Sequence, residues 1–308
     1  MALVSVIIPT YNRAHLVGRA IQSVLAQTFT QFEILVIDDC SNDDTERVVS
    51  EISDDRITYI RHTENRGGST ARNTGVTASR GQFVAFLDSD DTWHPEKIAK
   101  QLDLFEKSGD EVGVIYTGFN INNSVGKTMD VHRPQARGNI FRQLLCANCV
   151  GTTSTVMIRR ICIDKVGGFD ETLPSCQDWD LWLRLARHFK YDFVPEPLVN
   201  YLEAPTAERI TGNVSAMLEG HSSVLRKFNS DIATLSASEL AAQQLNLGHI
   251  FANVGAIRIS RQFLLQAIKV DPLHWKALAI LIMTAFGPRL TQQFLQAMRF
   301  AKAVLDRW

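Results

Sequence analysis

Four short segments with strong β-forming composition lie in the first hundred residues, and each is followed by a polar turn. In chain order they are Leu3 to Ile8, Phe32 to Ile37, Ile57 to Ile60 and Phe83 to Leu87. Helical patterns separate them, and the first has apolar residues at helical spacing: Leu16, Val17, Ala20, Ile21, Val24 and Leu25. Two further helices are expected from Thr45 to Ser53 and from Ser69 to Ser79. This alternation predicts an α/β fold with a parallel or mixed sheet, in which ligand-binding residues gather at the strand ends.

The pattern becomes mixed beyond residue 110 and almost purely helical near the end of the chain. The expected elements are a strand from Val112 to Thr117, a loop from Asn120 to Asn139, a helix from Phe141 to Cys146, a strand from Thr153 to Ile158 and a helix from Trp179 to Phe189. After residue 228, Gly248, Phe251, Leu264, Ala267 and Pro272 fall at the spacing of one tetratricopeptide-like helix pair. We therefore expect an α/β domain at 1–228 and a helical tail at 229–308. One such pair cannot bury its own face, so the tail is expected to pack on the main domain, on a partner protein or on a second copy.

Composition and charge exclude several classes of protein. The 308 residues are 45% hydrophobic and 21% charged, which is the balance of an ordinary globular protein and not of a disordered or fibrous one. The net charge of -1 provides no general attraction for nucleic acid or for an anionic membrane. Five cysteines, an odd number in a chain of this length, favour reduced thiols in a cytoplasmic protein.

No segment is expected to cross a membrane. The N-terminal apolar run has no basic region before it and soon meets Pro9, so it predicts a strand and not a signal sequence. The longest apolar stretch, Ala277 to Gly287, is about half of what a spanning helix needs. Its central part, Leu278 to Phe286, is expected to be a buried tail helix, with a peripheral contact to the inner face of the membrane as the alternative.

Two polar clusters follow the first two strands. Pro9 to Arg13 could bind a ligand at the end of the first strand, although such residues also suit a turn and a helix cap. Asp38 to Thr45 follows the second strand. Helix capping explains Asp43 and Asp44 well, but Asp38 and Asp39 sit directly on the strand end, where a carboxylate could accept hydrogen bonds from a ribose or a base.

Two more clusters lie further along the chain. Asn65 to Gly75 is a glycine-containing turn that opens an arginine-bearing helix, a weak signal for phosphate binding. Asp88-Ser89-Asp90-Asp91 follows the apolar segment Phe83 to Leu87. Three acids in four residues repel one another, which favours a bound cation, and carboxylate oxygens favour Mg²⁺ or Mn²⁺ over zinc.

Five ordered motifs together resemble the inverting, nucleotide-sugar-dependent glycosyltransferases of family 2. The matching segments are Ser5 to Arg13, Val36 to Asp39, Ala71 to Gly75, Phe86 to Asp91 and Gln177 to Arg184. The resemblance covers about residues 3 to 215. Gln177 departs from the pattern, because glutamate is the commoner residue in that position. The family implies a GT-A fold, which is a Rossmann-like mixed sheet flanked by helices, here with an all-helical C-terminal extension.

The resemblance implies transfer of a sugar from a UDP- or dTDP-sugar to a hydroxyl of a cell-surface glycan or its lipid-linked precursor, with inversion at the anomeric carbon. Asp178 is implied as the catalytic base, and Asp88 and Asp90 as ligands of Mn²⁺ or Mg²⁺. The implied donor-binding residues are Pro9, Thr10, Tyr11, Asn12, Arg13, Asp39, Arg72, Asp88, Ser89 and Asp90. Among them, Pro9, Tyr11 and Asp39 are assigned to the base and ribose, and Arg72 to the nucleotide or diphosphate. Such an enzyme is expected in the cytoplasm or at the inner face of the membrane.

Several residues keep a second interpretation. Asp178 could simply cap its helix, and Asp180 competes with it as the base. His221 could complete a metal site or face solvent. The polar segment Arg209 to Asn213 loosely resembles the end of the transferase domain, where polar residues can close over a diphosphate. A Cys-x-x-Cys pair at Cys146 and Cys149 has no second pair, which favours ordinary thiols over a metal site.

Other functions remain as alternatives. A nucleotidyltransferase would also need a metal and a nucleotide pocket, but no glycine-rich basic phosphate loop stands near the N-terminus. A non-catalytic scaffold with a vestigial sugar site is a second alternative. A dinucleotide oxidoreductase is disfavoured because no Gly-x-Gly-x-x-Gly follows the first strand.

Overall fold

A computed structural model describes residues 2–203 and 213–305. The motif at Arg209 to Asn213 lies outside these residues except for Asn213. That side chain caps the following helix, because its Oδ1 accepts a hydrogen bond from the backbone N–H of Ala216 at 3.1 Å. The described residues divide into two compact units, the first formed by 2–141 and 149–203 and the second by 142–148 and 213–305.

The strands and helices have these bounds. The strands are β1 (Val4–Thr10), β2 (Phe32–Asp38), β3 (Ile57–Arg61), β4 (Phe83–Phe86), β5 (Thr92–Trp93), β6 (Val112–Asn122), β7 (Thr128–His132), β8 (Met157–Arg159) and β9 (Lys190–Leu202). The helices are α1 (Ala14–Leu25), α2 (Thr45–Ser50), α3 (Gly68–Ala78), α4 (Lys97–Lys107), α5 (Phe141–Cys146), α6 (Arg160–Val166), α7 (Gln177–Ala186), α8 (Val214–Lys227), α9 (Asn229–Ile232), α10 (Ala237–Asn253), α11 (Ile257–Val270), α12 (Trp275–Thr284) and α13 (Pro288–Leu305).

One mixed sheet contains all nine strands of the described residues, in the order β3-β2-β1-β4-β8-β6-β9-β5, with β7 beside β6. The four strands predicted near the N-terminus form one continuous parallel block of this sheet, because β1 pairs in parallel with β2 and β4, and β2 pairs in parallel with β3. Thr10 lies opposite Asp38 in the register of β1 and β2. The polar clusters after these strands therefore lie at one edge of the sheet, as predicted.

The core of the first unit explains why these segments form strands and helices. Every residue of β1 is buried. On α1, the predicted apolar stripe supplies the buried residues Val17, Ala20, Ile21 and Val24. Helix α3 lies very close to β1, since a Cβ at Gly75 would be 2.4 Å from Cγ2 of Ile7. The absence of a side chain at Gly75 thus allows α3 to approach the sheet.

Two local predictions were wrong. The expected loop from Asn120 to Asn139 contains the end of β6 and all of β7, because β7 folds back on β6 as a hairpin and β9 supplies backbone partners from a distant part of the chain. Aromatic contacts support this pairing: the rings of Phe119 and His132 stack with their centres 4.7 Å apart. The expected strand from Thr153 to Ile158 is instead a 3₁₀ turn at Thr153–Thr155 followed by β8.

The second unit is helical. Helices α10 and α11 pack closely at Gly248, where a Cβ would lie 2.7 Å from Cδ2 of Leu264. The Ser260 hydroxyl donates a hydrogen bond to the Gly248 carbonyl at 2.7 Å. His221 on α8 is buried, and its Nδ1 lies 2.8 Å from the Met217 carbonyl. The tetratricopeptide-like character of the pair and the domain boundary at 228/229 stay predictions, because a compact packing unit need not fold independently.

The expectation that the segment Leu278 to Phe286 is a buried tail helix was wrong. Leu278, Ile282 and Phe286 are 37%, 61% and 61% exposed, while the opposite side of α12 is buried. Within the described residues, no helix has both the length and the hydropathy needed to cross a membrane. None of the five cysteines is in a disulfide.

Candidate active site

The loop between β1 and α1 brings together the first group of predicted donor-binding residues. Pro9 and Thr10 are buried at the end of β1, whereas the Tyr11 side chain is 43% exposed. Asn12 adopts a positive φ of 51°, and Arg13 directly precedes α1. The Thr10 hydroxyl is buried and has no hydrogen-bond partner among the described residues. The loop therefore presents one exposed aromatic ring and one unpaired buried hydroxyl.

Asn12 joins this loop to the loop after β2. Its backbone N–H donates to the Ser41 hydroxyl at 2.8 Å, and its side-chain Oδ1 accepts from the Asn42 N–H at 2.8 Å. The Ala14 N–H donates to the Asp43 carboxylate at 2.9 Å. These bonds give Asn12 a structural role that sequence reasoning did not foresee. Its predicted contact with the donor stays a prediction.

Asp39 holds the turn that leads into α3. Its Oδ1 accepts from the Arg66 N–H at 2.9 Å and lies 2.8 Å from Nδ1 of His62, and its Oδ2 accepts from the Gly67 N–H at 2.7 Å. Asp38 is likewise engaged, since it accepts hydrogen bonds from Ser41 and from the Tyr59 hydroxyl. Both strand-end carboxylates therefore organise the rim of the site. A contact between Asp39 and a ribose or base would have to be made in addition to these bonds.

Arg72 on α3 forms an ion pair with Asp88 at the end of β4. Its Nη2 lies 2.5 Å from Oδ1 of Asp88, and the two side chains are 14% and 27% exposed. The other carboxylate oxygen of Asp88 accepts from the Thr153 hydroxyl at 3.0 Å. The Nε of Arg72 is buried without a partner among the described residues. The charge of the guanidinium is thus compensated by Asp88, whereas its Nε–H has no hydrogen-bond acceptor among the described residues.

Ser154 organises the acidic loop that contains Asp88, Ser89, Asp90 and Asp91. Its hydroxyl accepts from the Asp88 N–H at 3.0 Å and donates to Oδ2 of Asp91 at 2.6 Å. Its carbonyl accepts from the indole N–H of Trp93 at 2.9 Å. The run Thr153-Ser154-Thr155 is visible in the sequence as consecutive hydroxyl residues, but only the fold brings it to the acids.

The charge balance of this loop differs from the sequence-based expectation, which assumed three ionised acids. Burial, followed by the charges of Asp90 and Asp88, raises the pKa of Asp91 well above its ordinary value. Asp91 is almost fully buried and accepts from the Leu202 N–H at 3.1 Å as well as from Ser154. A raised pKa favours the neutral form of Asp91, and Arg72 compensates Asp88. The repulsion is therefore relieved in part without a cation.

Asp178 lies in the first turn of α7 and is partly exposed. Burial raises the pKa of its carboxyl above the ordinary value, and the charge of Asp88 adds to this effect. The charge of Arg72 acts in the opposite direction and lowers the pKa of Asp178. Cys176, not Asp178, is the residue that precedes the helix at its N-terminus. The carboxyl is thus within electrostatic reach of the Arg72–Asp88 pair, as a base next to the donor would need to be.

The competing acid Asp180 has a different environment. Its side chain is fully buried, and its Oδ2 lies 2.8 Å from Nε of Arg184. Arg184 in turn donates to the carbonyls of Val166, Gly167 and Gly168. Asp180 therefore stabilises the loop after α6, which makes it a poor candidate for the base.

A clamp between α3 and the segment after α6 was not foreseen from the sequence. The Thr70 hydroxyl and the Asn73 amide each donate to the Glu171 carboxylate at 2.8 Å. The side chain of Asn73 also accepts from the Phe169 N–H at 2.7 Å. These bonds fix the orientation of α3 and, with it, the position of Arg72.

A cavity of about 410 Å³ adjoins the acidic loop on the Asp90 side. It is lined by Arg19, Asp90, Thr92, Asn122, Asn123, Ser124, Val125, Gly126, Asn200 and Leu202. The Oδ1 of Asn122 is buried and has no partner in the part of the chain that the structure describes. The lining is therefore polar and offers amide groups together with one carboxylate and one guanidinium.

The residues fit a divalent cation only if a substrate completes its ligand set. Among the described residues, no group of three or more His, Cys, Asp or Glu side chains is placed to hold a metal ion. Asp88 already bonds to Arg72 and Thr153, which leaves Asp90 as the other predicted ligand of this loop. Mg²⁺ and Mn²⁺ are often bound by one or two carboxylates together with substrate phosphates. The donor set is compatible with that mode.

Sequence comparison connects this arrangement to known proteins. Residues 5–166 match the sequence profile described as glycosyl transferase family 2. An uncharacterized glycosyltransferase of Rickettsia conorii is 35% identical over 60% of this chain, which spans only 31% of that protein. The Escherichia coli protein WfgD, named UDP-Glc:alpha-D-GlcNAc-diphosphoundecaprenol beta-1,3-glucosyltransferase, is 36% identical over 60% of this chain and 70% of its own length.

Two solved structures show the same fold at low sequence identity. The Staphylococcus aureus protein TarS, residues 1–349 in complex with UDP-GlcNAc, is 19% identical over 97% of this chain and 90% of its own, with a TM-score of 0.66. A mannosyltransferase from Pyrobaculum calidifontis, in complex with GDP-Man and Mn²⁺, is 18% identical over 99% of this chain and 88% of its own, with a TM-score of 0.60. Together with the mixed sheet flanked by helices, these similarities confirm the predicted GT-A fold.

Proposed function

Because the chain belongs to glycosyl transferase family 2, we propose that it transfers a sugar from a nucleotide diphosphate-sugar to a hydroxyl of a cell-surface glycan or its lipid-linked precursor, with inversion. The relative WfgD supports this acceptor class, because its name specifies a diphosphoundecaprenol-linked acceptor. The E. coli relative and TarS both favour a UDP-sugar donor by name or bound ligand, although the P. calidifontis enzyme holds GDP-Man.

The observation that carries the proposal is the position of Asp178 within the electrostatic field of Arg72 and Asp88. An acceptor hydroxyl is a poor nucleophile at neutral pH, so a nearby base must take its proton as it attacks. Burial raises the pKa of Asp178 and so makes it a stronger base than an exposed aspartate. Proton transfer from the hydroxyl to the Asp178 carboxylate, with departure of the nucleoside diphosphate from the opposite face, balances the reaction and inverts the anomeric carbon.

Unsatisfied polar atoms near the strand ends support binding of the donor at this site. The Thr10 hydroxyl and Arg72 Nε are buried and have no partner among the described residues. The Ser69 hydroxyl, on the same turn of α3 as Arg72, is also buried and has no hydrogen-bond partner among the described residues. Buried polar atoms in folded proteins nearly always have a hydrogen-bond partner, so oxygens of a bound nucleotide are suitable partners for these atoms. Tyr11 offers an exposed ring for the base.

A divalent cation, Mn²⁺ or Mg²⁺, would be held by Asp90 with Asp88 and by oxygens of the diphosphate. When bound, such an ion stabilises the negative charge that develops on the leaving group. The protein itself orients the site for this role. Ser154 fixes the acidic loop, and Arg72 brings a positive charge to the same region.

The test compares Asp178→Asn with Asp180→Asn as a matched control on the same helix. Purified variants are incubated with UDP- and dTDP-sugars, Mn²⁺ and a polyprenyl diphosphate-linked sugar, and released nucleoside diphosphate and glycosylated product are measured. We expect Asp178→Asn to lower transfer by about 10²- to 10⁴-fold while it retains donor binding. Asp180→Asn should lose thermal stability but keep transfer at a temperature at which it is folded. Turnover by Asp178→Asn at the wild-type rate would exclude the mechanism.

The alternative functions make different predictions in the same experiment. Membership of the family removes the support for a nucleotidyltransferase. A scaffold with a vestigial sugar site would bind none of the nucleotide sugars in the presence of Mn²⁺, and this outcome would replace the proposal.

A further inference from the structure

Helix α12 and the turn that follows it carry exposed apolar side chains on the side that faces away from the second unit. Trp275, Leu278, Ile282 and Phe286 recur every three or four residues and are 64%, 37%, 61% and 61% exposed. We name these four residues the tail face. Leu290, at the start of α13, is 49% exposed.

The opposite side of α12 is apolar too, because Ala277 and Ile280 are buried against the rest of the second unit. Lys276 is the single charged residue in the helix. A helix that is apolar all around is normally enclosed by protein or lipid and not by water. In the described residues, one side of α12 is enclosed by protein, whereas the tail face is not.

The charged residues that flank the tail face in the sequence are mostly basic. From residue 269 to residue 308, the sequence contains two acidic residues, Asp271 and Asp306, and six basic residues, which are Lys269, Lys276, Arg289, Arg299, Lys302 and Arg307. Lys269, Lys276 and Arg289 are exposed. The ammonium of Lys276 lies 5.6 Å from the centre of the Trp275 ring. An apolar face that carries an aromatic ring and has basic residues beside it is typical of helices that lie in the surface of an anionic membrane.

Pairing with a second copy of the chain agrees less well with these charges. A symmetric contact through the tail face would bring Lys276 and Arg289 of each copy toward those of the other, and between residues 269 and 305 the sequence has one acidic residue, Asp271, to offset them. A bilayer with anionic headgroups would instead neutralise the same side chains.

We propose that the tail face docks onto the surface of a membrane that contains anionic lipid. Trp275, Leu278, Ile282 and Phe286 enter the boundary between headgroups and acyl chains, and Lys276 and Arg289 contact the lipid phosphates. This inference rests on the second unit alone and does not depend on the proposed transferase activity. For a protein with a lipid-linked acceptor, it would keep the chain at the surface where the acceptor resides.

Flotation of the full chain with lipid vesicles tests the proposal. One set of vesicles is pure phosphatidylcholine, and the other also contains phosphatidylglycerol. We expect the wild type to float with the anionic vesicles and to bind less at high salt, and we expect the tryptophan emission to shift to shorter wavelength on binding. The double variant Trp275→Ser, Ile282→Ser should lower the partition coefficient by about tenfold or more, because it removes two inserted side chains. Lys276→Glu with Arg289→Glu should abolish the preference for anionic vesicles.

A control variant separates insertion from a general loss of surface hydrophobicity. Ile161 in the first unit is 71% exposed, so Ile161→Ser removes a similar apolar side chain elsewhere, and it should float like the wild type. All the substituted side chains are exposed, and circular dichroism is expected to show the fold intact. Two outcomes would overturn the proposal. One is equal flotation of the wild type and the Trp275→Ser, Ile282→Ser variant. The other is a wild type that is dimeric and binds neither kind of vesicle, together with a variant that is monomeric.

Discussion

The guanidinium of Arg72 lies 2.5 Å from the carboxylate of Asp88, which joins the start of α3 to the acidic loop after β4. The charges of both residues act on the carboxyl of Asp178 in α7, in opposite directions. Three separate parts of the chain therefore form one electrostatic unit, although α7 lies far from the other two in sequence. A change to Arg72 or Asp88 is therefore expected to alter the pKa of Asp178.

Stability should depend on pH through Asp91. The pKa of Asp91 is raised in the folded state, so between the unfolded value of about 3.9 and the folded value the native protein keeps a proton that the unfolded chain releases. Stability from this group is thus present at low pH and lost as the pH rises through that window. Urea denaturation across the pH range, with a chelator present, should show wild type losing stability relative to Asp91→Asn as the pH increases. A constant difference between the two proteins would contradict this assignment.

Ser154→Ala should damage both the stability and the metal dependence of the protein. The substitution removes the donor to the buried Asp91 carboxyl and the acceptor of the Asp88 N–H. A buried acceptor left without its donor costs about 1–3 kcal/mol, which thermal or urea unfolding can measure. Loosening of the loop should also raise the Mn²⁺ concentration needed for half-maximal activity. Thr155→Ala is the control, because its hydroxyl bonds to the Thr152 carbonyl and not to an acid, so a change in Mn²⁺ requirement in that variant would argue against a specific role for Ser154.

Substitution by asparagine should affect the free energy of unfolding differently at Asp178 and at Asp180. Asp180→Asn breaks a buried ion pair with Arg184 and should lower the free energy of unfolding by about 3 kcal/mol. Asp178→Asn replaces a carboxyl whose charged form is disfavoured by burial, so stability at neutral pH should stay the same or increase. Urea titration at one pH distinguishes the two. If Asp178→Asn were the more destabilised variant, a structural role for Asp178 would be indicated instead.

Gly75→Ala should disturb the position of Arg72 through packing alone. The new methyl group would lie 2.4 Å from Cγ2 of Ile7, so α3 must move away from β1. Overpacking of this kind costs about 1–3 kcal/mol, and we expect a lower melting temperature together with weaker nucleotide binding. Gly18→Ala on α1 is the matched control, because its methyl group would meet only Val48 at 3.4 Å. Equal melting temperatures for the two variants would mean that the contact between α3 and β1 is not as close as described.

Nucleotide and metal should stabilise the protein cooperatively. Among the described residues no three-ligand cluster exists, so a cation is expected to bind weakly until phosphate oxygens are present. A thermal-shift experiment with UDP, Mn²⁺ and both together should give a shift for the pair that exceeds the sum of the separate shifts. Asp90→Asn should remove the excess but leave the shift with UDP alone. A large shift with Mn²⁺ alone would reveal a preformed metal site and refute this view.

The parallel block formed by β1 to β4 could be predicted well because its signals are local. Val4–Thr10 and Phe32–Asp38 are buried apolar runs, and the apolar stripe around Val17 and Val24 has the period of a helix. The end of β6 was missed because its other backbone partner, β9, lies about 80 residues further along the chain. The composition of Thr153–Thr155 suits a strand, but its backbone bonds are made locally in a 3₁₀ turn. The exposure of Ile282 could not be foreseen either, since an apolar run has the same composition whether it faces protein or not.

The sequence by itself determined which residues could form the site. The order and spacing of the motifs at Pro9, Asp39, Arg72, Asp88 and Asp178 were sufficient to indicate the family and the GT-A fold. Only the tertiary structure decided what several of these side chains bond to. In the structure, Arg72 forms an ion pair with Asp88, and Asp180 forms one with Arg184. Asp39 accepts a hydrogen bond from the turn before α3, and the Ser154 hydroxyl donates to Asp91 in the acidic loop. The physical reason is that residue type sets what a side chain can donate, accept or hold as charge, whereas burial and partners depend on strand pairing and helix packing between distant segments.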